Sequence, residues 1–167
     1  MRGLGFPIHP FLRGLLEFYG LQLHNFTPAS ILHIASYVAL WELFLGCEAH
    51  FELWKRLFCL VPRTQEGSIY QVGGAEIWRI AGIGYLSGTP KKTSEDWPSE
   101  WFYMEDVPLP DSIRMGLPEF DNAPLKKRRS WRPRSPQEEV NREVLYLMGR
   151  IKTLAQSGLT IIEVMSI

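Results

Sequence analysis

Ser30 to Gly46, SILHIASYVALWELFLG, is the stretch that most constrains what this chain can fold into. Thr27 and Pro28 ahead of it read as an N-cap and a first helical position, and Gly46 reads as the stop. At about 100° per residue, Ile31, Ile34, Ala35, Val38 and Leu45 cover one side of the helix, while Leu32, Ala39, Leu40, Leu43 and Phe44 cover the other. A helix apolar on both sides is predicted to be buried on both sides. Glu42 projects onto the Ile31/Ala35/Val38 side, where an unpaired carboxylate is costly. It therefore reads as a buried charge. It is either a perturbed acid in a cleft or, the favoured reading, an acid capping a neighbouring loop or paired with a base such as Arg13, Arg56 or His50.

Two helices flank this element. Pro10 to Tyr19 carries Leu12, Leu15, Leu16 and Tyr19 at helical spacing and ends at Gly20. Ala49 to Leu60 places Phe51, Trp54, Leu57 and Phe58 on one stripe, and Pro62 ends it. Short loops between them predict an antiparallel or angled three-helix cluster. The pattern then changes to β-type runs, Ser68 to Val72 and Ala75 to Ala81, separated by Gly73-Gly74, a two-residue hairpin signal. Tyr85 and Leu86 suggest a third short strand. The aromatic-dense Ser94 to Met104, SEDWPSEWFYM, reads as a cover packed back on the helices.

From Val107 to Pro136 six prolines interrupt any apolar period, which predicts an extended, partly disordered connector. Ser135-Pro136-Gln137-Glu138 then reads as a capping box opening a helix to about Gln156, with Val140, Val144, Leu147, Met148, Ile151 and Leu154 on one face. Gly158 ends it, and Thr160-x-x-Glu163 opens another.

A length of 167 residues, 46% of them apolar and 13% aromatic, suits one domain, or one domain with a tail. Zero net charge excludes a global attraction to nucleic acid or anionic membrane, but six of the 18 Lys and Arg residues lie between Lys126 and Arg134. Two cysteines make no disulfide framework. The run Ile31 to Leu45 is shorter than the roughly 20 residues that span a bilayer, and it carries His33 and Glu42. Together these read as an intracellular, non-membrane chain, nuclear or cytoplasmic.

Catalytic and metal chemistry find little support in the residues. Cys47-x-x-His50 with Cys59 lacks an evident fourth zinc ligand. Gly82-x-Gly84 is followed by Ser87 where a dinucleotide loop needs a third glycine. Asp96, Asp106, Asp111 and Asp121 do not lie at the ends of core strands, as a two-metal site would require. No nucleophile–base pair emerges, so the reading is a non-enzyme with no cofactor and no metal. His33 reads as a structural histidine, and His9, His24 and His50 as loop or helix-entrance residues. The remaining candidate is nucleic-acid binding through Lys126, Lys127, Arg128, Arg129, Arg132 and Arg134. Trp131 is available to stack on a base, against the alternatives of an import signal or a solvated linker.

GFPIHPFLRGLLEFYGLQLHNFTPASILHIASYVALWELFLG, HFELWKRLF, VGGAEIWRI and WPSEWFYMED occur in an order that resembles the gypsy-type transposon domain of plant LTR-retrotransposon proteins, found upstream of or near Gag. The resemblance covers Gly5 to Pro118. EVLYLMGRIKTLAQSGLTIIEVM is similar to the segment that follows that domain, which in related proteins continues into further helix, so the resemblance implies a truncated piece of a longer protein. It implies no catalytic site, and a CCHC zinc knuckle is absent from the sequence.

The expectation is an α+β fold, mainly α: an N-terminal three-helix cluster, a small β-hairpin with an aromatic cover, an extended connector and a C-terminal helix. Its parts are a transposon-like domain over 5–118, a basic, proline-rich connector over 119–135 and a helical segment over 136–167. The expected function is non-catalytic, Gag-associated interaction or assembly, with other copies of itself or Gag-type proteins as partners. The alternative is a nucleic-acid-associated or nuclear factor using the 126–134 cluster on RNA or single-stranded DNA.

Overall fold

The computed structural model describes residues 8–88, 121, 123–134 and 139–166. The fold is mixed α+β and mainly helical. Helix α1, Pro10–Tyr19, starts where the His9 ring accepts the Phe11 N–H and ends at Gly20 in the left-handed conformation, φ 61°. Its apolar face, Phe11, Leu12, Leu15, Leu16 and Tyr19, is buried. Helix α2, Pro28–Ala39, has the Thr27 cap and the Pro28 start that the sequence predicts, with the Thr27 hydroxyl accepting the Ser30 N–H.

From Leu40 to Leu45 the same helical run widens into a π-turn, closed by Gly46 at φ 66°. The wider turn corrects the reading of Glu42. Each i→i+5 turn holds more residues than an α-turn, so the projected faces rotate. Leu40, Trp41 and Leu45 point inward while Leu43 points out, 58% exposed. The Glu42 side chain is 43% exposed and is no buried charge. Its partner is none of the three expected bases. His9 Nε2 lies 2.6 Å from Glu42 Oε1. Because His9 Nδ1 already accepts the Phe11 N–H, the neutral ring carries its proton on Nε2 and donates it to Glu42. The whole run Pro28–Leu45 is 18 residues, long and apolar enough by length and composition alone to cross a membrane, a test that the core helix of a soluble protein also passes.

Helix α3 is shorter than the sequence suggests, Phe51–Leu57, with His50 as N-cap. Phe58 turns to extended backbone and begins strand β1, Phe58–Pro62. Phe58 satisfies two periods at once, the helical stripe of Trp54 and the alternation with Leu60. The alternation prevails because β1 pairs antiparallel with β4, Ala75–Arg79, with Phe58 opposite Arg79 and Leu60 opposite Ile77. The hairpin therefore differs from the expected one. Between these strands, β2, Thr64–Gln65, pairs with β3, Ser68–Ile69, across a turn at Glu66-Gly67, whose φ values of 51° and 82° suit the primed turns of tight hairpins.

Gly73-Gly74 is not a turn between strands. The Gly73 N–H bonds His24 O, and a Cβ on Gly74 would stand 1.8 Å from the Tyr70 carbonyl oxygen, so a close backbone approach requires glycine there. The free edge of β4 is covered by the start of α2. The Ser30 hydroxyl accepts the Ile77 N–H at 2.9 Å, and Phe26 bridges to Ala75. Tyr85 and Leu86 are buried but form no strand, and Ser87 bridges to Thr160. The aromatic block Ser94 to Met104 and the proposed cap Ser135 to Glu138 lie outside the described residues.

Helix α4, Arg142–Gln156, begins under Asn141, whose side chain accepts the Val144 N–H at 2.8 Å, and buries Val144, Leu147 and Ile151. Helix α5, Ile161–Met165, carries the predicted Thr160/Glu163 capping box with both bonds formed. One hydrophobic cluster runs from Ile8 to Val164. At its centre Phe11, Tyr37, Trp54 and Phe58 meet with ring centroids 4.3 to 5.9 Å apart.

Candidate nucleic-acid interface

The basic segment is anchored to this core, and the described part of the expected connector is not a free linker. Trp131 is fully buried, and its indole N–H donates to Tyr19 O at 3.1 Å, at the C-terminus of α1. The expectation that Trp131 is available to stack on a base is thereby corrected. A large apolar ring with a single donor is stable inside a core once that donor has an acceptor, and the last turn of a helix offers free carbonyls. A short 3-10 turn, Arg129–Trp131, carries the ring inward, and Gln71 Oε1 accepts the Leu125 N–H on the upstream side.

Anchoring at Trp131 turns the flanking cations outward. Lys126, Lys127, Arg128, Arg129 and Arg132 are exposed, and Arg134 is half-buried. The Arg128 guanidinium lies over Gly20, where a Cβ would meet it at 2.0 Å. Lys127, Arg128, Arg129 and Arg132 line a concavity of about 280 Å³. A second, of about 270 Å³, lies between the segment and the ends of α1 and α3, with Phe18, Tyr19, Lys55, Arg129, Arg132 and Arg134 among its walls.

Two of the cations in the second hollow are already engaged. Glu52 bonds the Lys55 ammonium and stands 3.5 Å from the Arg134 guanidinium. Burial raises the Glu52 carboxyl, but the Lys55 hydrogen bond and charge, with Arg134 and His50, outweigh it and hold the group below its usual value. Lys55 also sits 5.1 and 5.0 Å from the ring centres of Phe18 and Phe51. Burial pushes the Tyr19 hydroxyl up to about 12, against a hydrogen bond from Trp54, so it stays neutral at physiological pH. The hollow's free charge is thus Arg129 and Arg132, continuous with Lys127 and Arg128 in the first. Such a cluster of exposed guanidinium and ammonium groups is the kind of surface that can hold phosphate oxygens by charge-assisted hydrogen bonds.

The weighed metal residues do not converge. His50 Nδ1 caps α3, Cys47 is exposed, and Cys59 stands opposite Trp78 on the β1–β4 ribbon. Among the described residues no three His, Cys, Asp or Glu side chains come together in a way that could hold a metal ion. Asp121 accepts the Ala123 N–H, and Asp96, Asp106 and Asp111 lie outside the described residues.

The cations other than half-buried Arg134 stand exposed as the sequence predicts, but Trp131 does not. Among the described tryptophans, Trp78 on β4 is the exposed one, at 53%. The signal for it was the alternation Ala75, Ile77 against Glu76, Trp78.

No curated protein and no solved structure gives a significant match to the chain. Residues 1–62 match the family model described as "Putative gypsy type transposon". The match ends at Pro62, the last residue of β1, so β4, the basic segment, α4 and α5 lie beyond it, as do the blocks that extended the resemblance to Pro118. Residues 1–62 are thus similar to a gypsy-type transposon domain.

Proposed function

We propose that this chain is a non-catalytic, Gag-associated protein of a plant retrotransposon that holds the phosphate backbone of RNA or single-stranded DNA on the Lys126–Arg134 ledge. It works inside the cell, in nucleus or cytoplasm. The observation that carries this reading is the burial of Trp131. A basic run in a solvated linker has no reason to place a tryptophan in the core, whereas an anchored run presents its cations at fixed spacing on a folded surface.

Binding to such a ledge is expected to be weak, indifferent to sequence and strongly reduced by salt. Contacts with about four to six phosphates give a log–log salt slope of about −3 to −4 on single strands. The test is a fluorescence-anisotropy titration at several salt concentrations with wild type and with Lys126, Lys127, Arg129 and Arg132 all replaced by Gln. This set spares Arg128, which lies on Gly20, and Arg134, which meets Glu52. Loss of binding with an unchanged melting temperature supports the ledge, and absence of binding by wild type at low salt overturns it.

A second reading, self-association or assembly with Gag-type proteins, is favoured by Leu145 and Tyr146. These stand 56% and 65% exposed side by side on α4. Light scattering across a concentration series tests it, a constant monomer mass counting against self-association.

A further inference from the structure

We infer that Trp78 is the base-stacking residue of this surface, and that a single strand lies with its phosphates on the basic ledge and one base on the outer face of the β1–β4 ribbon. The inference rests on the nucleic-acid reading and deepens it. Cys59 and Trp78 are cross-strand partners, so their side chains stand side by side on one face of the ribbon, turned away from Phe58, Leu60 and Ile77. Strand β1 runs against the Arg129–Trp131 turn, and Lys127 comes near enough to Cys59 for its charge to bear on the thiol. The ledge therefore approaches the strand that carries Cys59, the cross-strand partner of Trp78.

Trp78 is also an exposed aromatic free to take a partner on the ribbon. Tyr70 is exposed but carries the Arg63 guanidinium 5.6 Å from its ring centre, and Phe18 carries Lys55. Among the described residues no ring or cation stacks on Trp78. Glu76 shares its face two residues back, which disfavours phosphate on that side and leaves the Lys127 side for the backbone. An exposed tryptophan in the middle of a two-stranded ribbon contributes nothing to the core, but an exposed π-face beside cations is what sequence-tolerant single-strand binding uses.

The test compares wild type, Trp78→Ala, Trp78→Phe and the four-fold Gln variant, all as the full chain, on two labelled probes. One is an oligouridylate of roughly 12 nucleotides, within the site size of single-strand modules. The other is an abasic phosphodiester strand of the same length. Trp78→Ala is expected to weaken oligouridylate binding by roughly five- to 150-fold, with the salt slope unchanged. Trp78→Phe should retain part of the affinity, and the abasic strand should bind wild type and Trp78→Ala alike. Equal oligouridylate binding by wild type and Trp78→Ala, with the four-fold variant still defective, overturns the stacking role and leaves the ledge standing. No binding of either probe by wild type at low salt overturns both. Equal losses on the two probes would show that Trp78 supports the fold or the charge and not a base, which also overturns the inference.

Discussion

The two halves of the molecule reach the same core by different means. From Ile8 to Pro62 the chain builds a continuous interior in which Phe11, Tyr37, Trp54 and Phe58 touch one another. Beyond Arg79 it adds separate anchors: Trp131 under α1, Val144, Leu147 and Ile151 along α4, and Ile161 and Val164 in α5. In the first half each ring is held by several others. In the second each anchor holds a described segment that leaves many of its other residues facing solvent. The first half should therefore set stability, and the second should set what the surface displays.

Variants that remove one residue from each half test this division, beginning with the largest effect. Trp54→Ala empties the centre of the aromatic cluster and should cost about 3–5 kcal/mol, a large share of the roughly 5–15 kcal/mol that holds a domain folded. Urea unfolding should find it mostly unfolded or with a much lower midpoint. Trp131→Ala removes an equally buried ring but only one anchor. The expected cost is about 3 kcal/mol, at the low end of the range for tryptophan truncation, with the α1–α3 core still folded by near-UV circular dichroism. If it unfolds the chain as completely as Trp54→Ala, the two halves are not distinct.

Smaller effects sharpen the boundary between the halves. Gly20→Ala forces a non-glycine residue into left-handed backbone and pushes against Arg128, for an expected loss of about 1–2 kcal/mol. Adding Arg128→Ala should recover only the steric part, since the φ of 61° remains. Asn141→Ala removes the α4 cap and should cost about 1 kcal/mol, visible as a lower thermal midpoint without loss of the first-half core.

The smallest expected effect is on pH dependence. Burial lowers His24 and His33 below the ordinary imidazole range. At His33 the Arg79 charge adds to burial, and Glu76 opposes both. The folded chain then binds fewer protons at these rings than the unfolded chain does. Their contribution is complete above the unfolded value of 6.5 and is lost as pH falls below it. Thermal melts at neutral and mildly acid pH should show a decline that His33→Gln reduces. A flat profile across that window would remove the histidine contribution.

How much of this was legible in the sequence follows the same division. The first half announced itself because its apolar residues recur at one period over whole helices, so α1, the Thr27 cap and the Gly46 stop could be read directly. Two features there could not be. Phe58 fits both a helix stripe and a strand, and only the distant Ala75–Arg79 decides between them. The π-turn at Leu40–Leu45 rotates Glu42 to solvent, and no α-helical projection shows that.

In the second half a capping box at Thr160 was readable because its signature is local. Trp131 was not, since a lone apolar residue among charges has no period, and its partner is a backbone carbonyl 112 residues away. The cations of the candidate site were thus legible as composition. The exposure of Trp78 was legible in the alternation of Ala75 and Ile77 with Glu76 and Trp78, whereas its cross-strand neighbour Cys59 was not, because the ribbon was predicted with the wrong partner strand.

The central claim is that the basic run is docked, and exchange of the Trp131 indole proton tests it most directly. In ¹⁵N-labelled protein, with the indole resonance assigned by its loss in Trp131→Phe, that proton should exchange only by large-scale opening, as slowly as the Trp54 indole that donates to Tyr19. Exchange at the rate of a solvent-exposed indole, while Trp54 stays protected, would contradict docking and return Lys126–Arg134 to a free linker.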